Sequence, residues 1–169
     1  LGYVDDGETP NTQVIYHDYA KAPLIFEVRG LPSKKGDKNM DNFMGSRIGV
    51  IVHCEGGHIT VPSYTSSTAF DKSGKEIKTW KESKGGEAPH FKNFIEAVRS
   101  RDYKQQYADI LEGHLSSALC HTGNISHRLG AKAAPGVIRE QIKGDREAMA
   151  TVERMFDHLK ANQVNLDSD

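Results

Sequence analysis

Three groups of residues in this chain have the types and spacing to do chemistry. His53, Cys54, Glu55 and His58 bring four potential ligands within six positions of one another. They could hold a metal, but the two histidines fall on opposite arms of a turn and the spacing matches no zinc pattern, so ordinary strand positions account for them better. The second group is Ser117, His121 and Asn124, joined by His114 one heptad earlier. On a helix these residues share a side, where they could hydrogen-bond one another or a polyol. The alternative is that each closes its hydrogen bonds on nearby backbone, and the absence of an orienting acid and oxyanion donors favours that over a hydrolase. His90, at the start of a helix, could be an acid or base beside a cleft, or simply a surface or capping group. Asn124-Ile125-Ser126 matches the glycosylation triplet, but a helical setting argues against its use. Neither dinucleotide-binding glycine motif nor phosphate loop occurs.

The element that would present the second group spans residues 109–130. Leu111, Leu115, Ala118, Thr122, Ile125 and Leu129 recur at steps of four and three, which lays an apolar stripe along one side of a helix. Asp109 is a suitable N-cap, and Gly130 followed by Pro135 a suitable stop. Ser116, Ser117, Cys120, His121, Gly123 and Asn124 flank the stripe where a surface helix would carry Glu, Lys and Arg, so the helix is expected to be buried on more than one side.

Before this helix the pattern is β. Residues 12–19 and 24–29 read as a hairpin around Pro23, and residues 30–45 as a long excursion rich in Gly and charge. Residues 48–53 and 58–61 form the strongest hairpin signal, joined at Glu55-Gly56-Gly57, where both glycines are expected to supply positive φ. Residues 68–70 and 77–80 add further short strands, giving five to seven strands with short, hence antiparallel, connections. After Gly85-Gly86 the character becomes helical: Phe91, Phe94, Ile95 and Val98 mark one helix, residues 137–142 a short one, and Met149, Val152, Phe156 and Leu159 the stripe of a last one capped by Asp145. The expectation is one α+β domain over residues 1–169, strands to residue 85 and helices from 86 to 163, with a polar tail at 164–169. Its open, mainly antiparallel sheet has helices on one face and the other free.

Composition narrows the function classes. With 22 Lys plus Arg against 23 Asp plus Glu, the net charge of −1 argues against a protein that grips a phosphate backbone, so nucleic acid is not an expected partner. Cys54 and Cys120 read as two buried thiols rather than a disulfide framework. No run approaches the ~20 apolar residues that span a bilayer. The chain starts at Leu1, so a piece of a longer or processed protein is expected, with any targeting signal upstream.

Three stretches carry a resemblance: Gly2-Tyr3-Val4-Asp5-Asp6-Gly7-Glu8-Thr9-Pro10-Asn11-Thr12-Gln13, then His90-Phe91-Lys92-Asn93-Phe94 through Ala97-Val98-Arg99-Ser100, then the helix from Glu112-Gly113-His114 to Ile125-Ser126. Over most of its length the chain resembles the C-terminal α/β domain of the glucose–fructose oxidoreductase/inositol dehydrogenase/rhizopine catabolism (Gfo/Idh/MocA) oxidoreductases, in the branch common in planctomycetes and related bacteria. The resemblance implies a parent with an N-terminal Rossmann domain that binds NAD or NADP. In that parent a sugar or cyclitol hydroxyl gives hydride to the nicotinamide and a proton to a lysine, or glycosidic bonds are cleaved with transient use of NAD. It implies that the dinucleotide fingerprint and catalytic lysine precede Leu1, so that this chain holds no catalytic, cofactor-binding or metal residue. It would instead supply substrate-site walls and a homo-oligomer interface on the sheet face, in a bacterial cytoplasm or periplasm. Asn11, Thr12 and His121 are the polar groups in family motifs expected to line the substrate side. The other class of reading is a free-standing binding or assembly module.

Overall fold

The computed structural model describes residues 1–4, 6–82 and 87–166. Asp5 of the first motif, the Gly85-Gly86 breakpoint and residues 167–169 of the tail lie outside them. The order of elements is β1 (Thr12–His17), β2 (Leu24–Arg29), β3 (Val50–Cys54), β4 (Gly57–Ser63), β5 (Ser66–Asp71), β6 (Glu76–Lys81), α1 (Ala88–Ser100), a 3-10 turn (Tyr103–Gln105), α2 (Ile110–Leu129), α3 (Pro135–Ile142) and α4 (Arg146–Ala161). This is an α+β fold with an open antiparallel sheet, strands first and helices after. The strands form two sheets, one of β1 and β2 and one in the order β3-β4-β5-β6. The chain divides into two compact units, residues Leu1–Asp41 with Gly123–Asp169, and residues Asn42–Thr122.

The first unit is built around α4. Asp145 caps it, accepting the Ala148 amide at 2.8 Å, and takes the Tyr16 hydroxyl of β1 at 2.5 Å on its other oxygen. The Ala148 amide and then the Tyr16 hydroxyl hold the Asp145 carboxyl below the usual carboxylate range, and the same bond pushes the Tyr16 phenol up to about 12. Strand alternation decides which side chains meet α4. With Tyr16 paired to Ile25 and Val14 to Glu27, the residues Thr12, Val14, Tyr16, Ile25, Glu27 and Arg29 share one face. From that face Glu27 accepts Arg154 of α4 at 2.6 Å. On the helix Ala148, Thr151, Val152, Phe156, His158 and Leu159 are buried, with Met149 half-buried. Leu159, Leu31 and Val164 form the core cluster, with Met155 and Leu166 against it. Val164, the first residue of the tail expected at 164–169, is thus buried. Arg139 of α3 makes a two-pronged pair with Glu153 and lies 4.9 Å from the Phe156 ring, which fixes α3 on α4.

The opposite face of the β1–β2 hairpin carries Ile15, and it is met by Gly123 of α2, where a Cβ would stand 2.1 Å from Ile15 Cδ1. Helix propensity alone gives Gly→Ala a gain of ~1 kcal/mol, whereas overpacking costs ~1–3 kcal/mol. Gly123→Ala is therefore expected to destabilise the chain by about 1 kcal/mol in urea unfolding, and Ile15→Ala to reverse the sign of that effect. Unchanged sign in the Ile15→Ala background would show that the contact is not what selects glycine.

In the second unit the sheet alternates clearly. Val52, Ile59, Ala69 and Lys78 form one row across the four strands, and the pairs Val50–Val61 and Ser67–Trp80 follow on the same face, where the β4–β5 register is irregular. The other face carries Ile51, Thr60, Thr68 and Thr79, and then His53, His58 and Phe70. Thr68 and Thr79 share a hydrogen bond at 2.9 Å, a cross-strand polar pair. The β3–β4 turn departs from expectation: of Gly56 and Gly57 only Gly57 has positive φ, at 150°. Gly130 likewise ends α2 without the left-handed conformation expected of it, and Pro135 opens α3 rather than merely stopping α2.

Candidate functional site

Helix α2 starts as its sequence dictates. Asp109 Oδ1 accepts the amides of Leu111 at 2.7 Å and Glu112 at 3.2 Å, satisfying two of the donors that a helix start leaves open. Its surroundings differ from expectation. Leu111, Leu115 and Ile125 are more than half exposed, and of the whole helix only Gly123 is buried. The reason is that the 3.6-residue period shows that a helix has an apolar side, not that this chain covers it. Cys120 and Cys54, expected to be buried, are both exposed.

The polar group of α2 resolves mostly into helix self-satisfaction. Ser117 Oγ donates to the His114 carbonyl at 3.0 Å, and Thr122 Oγ1 to the carbonyls of Ala118 and Leu119 at 2.8 and 3.0 Å. Both hydroxyls are spent on the previous turn, a habit of Ser and Thr inside helices. His121 is exposed and Asn124 half-buried. Of the three residues expected to line a substrate, Asn11 and Thr12 lie in the first unit and His121 in the second. Asn11 is occupied at the chain start: its Oδ1 accepts the Leu1 ammonium and the Thr12 hydroxyl, both at 3.2 Å, and its Nδ2 donates to the Leu1 carbonyl at 2.9 Å. Thr12 is buried, 3% exposed.

Asn93, within the second motif, has a position that sequence reasoning did not single out. Its Nδ2 donates to the Gln105 carbonyl at 2.8 Å and its Oδ1 accepts the Tyr107 amide at 3.0 Å. One amide side chain thus holds the 3-10 turn against α1, and the signal for it was an asparagine inside a helix that has no helical reason to be there. His90 is exposed on the first turn of α1.

No protein-family model, curated protein or solved structure matches this chain.

His53 and His58 face one another across the β3–β4 pair with ring centroids 6.5 Å apart, and His58 stacks on Phe70 at 4.8 Å. That makes His58 part of an aromatic ladder. Among the described residues no cluster of three or more His, Cys, Asp or Glu side chains is placed to hold a metal ion. At the other end of the same sheet a shallow depression is lined by Val61, Ser63, Tyr64, Ser66, Ser67 and Trp80. Two of its hydroxyls, those of Ser63 and Ser66, are engaged with each other at 2.7 Å. Among the described residues no helix is long and apolar enough to cross a membrane.

Proposed function

We propose that this chain is the C-terminal, substrate-side and assembly part of an NAD(P)-dependent oxidoreductase of the Gfo/Idh/MocA type, acting on a sugar or cyclitol hydroxyl. The observation that carries the reading, beside the three motifs, is how much apolar surface the second unit leaves uncovered. Phe91, Phe94, Ile95 and Val98 along α1 are 47–58% exposed, and Leu111 and Leu115 of α2 and Val50, Val52 and Trp80 of one sheet face are 44–56% exposed. Contiguous apolar surface of this kind marks protein contact. A nucleotide-binding domain against the helices and a second copy against the sheet would supply it.

In this reading the Rossmann domain binds the nicotinamide, which accepts hydride from the substrate carbon, and a lysine of that domain takes the hydroxyl proton. The residues of this chain supply walls of the substrate site. Alone it holds no pyrophosphate site, because the glycine-rich turn at a helix N-terminus is not in its sequence. Calorimetric titration with NAD and NADP tests this. The 169-residue chain is expected to give no saturable heat, while the full product of its gene binds one of the two and reduces it when supplied with a sugar or cyclitol. Saturable binding by the chain alone, or a natural gene product that begins at Leu1, would overturn the reading and leave the free-standing module.

A further inference from the structure

Among the described residues His158 is the one titratable side chain that is fully buried. It lies in the last turn of α4 with its side chain 1% exposed, and its Nδ1 is 3.2 Å from Asp41 Oδ2. That same carboxylate oxygen takes Arg29 Nη1 at 2.9 Å. Behind it stand Glu27, whose carboxylate is 4.0 Å from Arg29 Nε, and Arg154 one turn earlier on α4. The charges that act on the ring are therefore Asp41 and Arg29, with Glu27 and Arg154 linked to it through Arg29. Nδ1 makes no well-aligned hydrogen bond, but the carboxylate oxygen 3.2 Å away makes Nδ1 the better seat for the single proton of the neutral imidazole. A second proton would go on Nε2, and Nε2 is buried with no hydrogen-bond partner. A charged N–H without an acceptor is costly in such a place.

Asp41 ends a segment, residues 31–41, that is fastened along the C-terminal end of α4. Leu31 packs with Leu159 and Val164, Asn162 Nδ2 donates to the Pro32 carbonyl at 2.8 Å, and the Lys35 amide donates to the Ala161 carbonyl at 3.1 Å. We propose that Asp41 and His158 form a proton-operated latch on this segment: acid places a charge on Nε2 where nothing accepts it, and the seam between residues 31–41 and the end of α4 loosens to admit water. Burial first, and the Arg29 charge with it, hold the imidazole below its ordinary value against the opposing pull of Asp41. The sign follows. A group whose native value is lowered contributes stability that is present above the unfolded value of ~6.5 and is lost as pH falls through the native one.

Amide hydrogen exchange on the full chain reads the latch directly. The Lys35 amide crosses the seam, while the Gly30 amide, bonded to the Asn11 carbonyl at 2.8 Å, stays within the hairpin and serves as the internal reference. After intrinsic rates are divided out, the Lys35 to Gly30 ratio is expected to rise about tenfold between pH 7 and pH 5, and to stay flat in His158→Gln. A flat ratio in the unsubstituted chain, or the same rise in His158→Gln, overturns the latch. Should that variant not fold, imidazole NMR of the unsubstituted chain decides: a His158 ring titrating in the ordinary histidine range with no accompanying shift at Lys35 refutes it, and a depressed titration shared by both supports it.

Discussion

Leu159→Ala is expected to be the most damaging single truncation in the first unit, costing ~2–5 kcal/mol. Leu159 is 2% exposed and forms the core cluster with Leu31 and Val164. The loss has a transfer part, for the carbon atoms removed from contact, and a cavity part, because surrounding atoms cannot fully collapse into the space. Three attachments make collapse difficult here: the Lys35 amide on the Ala161 carbonyl, Asn162 on the Pro32 carbonyl, and Asp41 beside His158. Against a total stability of about 5–15 kcal/mol, such a loss is a large fraction of the whole. Urea unfolding followed by circular dichroism measures it. Leu115→Ala is the informative companion: Leu115 sits on a comparable stripe but is 53% exposed, so its truncation is expected to change the stability of this chain by no more than ~0.5 kcal/mol. Equal costs at the two positions would mean that α2, not α4, organises the core.

Gly57→Ala is expected to have the largest effect in the second unit, about 3 kcal/mol or more. Gly57 has φ of 150°, and a Cβ there would stand 2.0 Å from the Phe70 carbonyl oxygen and 2.8 Å from Asp71 Cα. These are backbone atoms of β5, paired with β4 through Gly57 opposite Asp71, so they cannot turn aside as a side chain could. Relief requires pulling β4 from β5 at that end, which also strains the stacking of His58 on Phe70. Gly56 is the control. A Cβ on it meets nothing within 4 Å and its φ is not positive, so Gly56→Ala is expected to be neutral within ~0.5 kcal/mol. The difference between the two urea midpoints is the test, and matching midpoints would refute the close approach.

The adjacent glycines illustrate what is legible without the structure. Their presence announces a turn, and the hairpin is there, with Cys54 opposite Gly57. The division of labour between them is not legible, because it depends on a strand arriving from residues 66–71 to pack on the second one. The same holds for Asn11. Its place in a family-like motif suggests a ligand contact, but the partners it has are the Leu1 ammonium and carbonyl and the Thr12 hydroxyl. Asn93 and His158 escape a reading of the sequence for a related reason: their partners, the Gln105 carbonyl and the Asp41 carboxylate, are set by chain reversals that no local pattern encodes.

The sequence by itself determined the elements. Alternation and turn residues placed the strands of both sheets, the steps of three and four placed the helices, and Asp109 and Asp145 marked helix starts that they do cap. These are short-range matters, governed by backbone geometry and by side chains a few residues apart. Only the tertiary structure decided which apolar faces are covered. The stripe of α4 is buried against Leu31, Val164 and the β1–β2 hairpin, while that of α2 stays largely in solvent, and the one buried residue of that helix is Gly123, beside the stripe and on Ile15. Two helices with similar periodicity thus end in opposite environments, because an apolar stripe makes burial favourable, and burial itself requires another surface at hand.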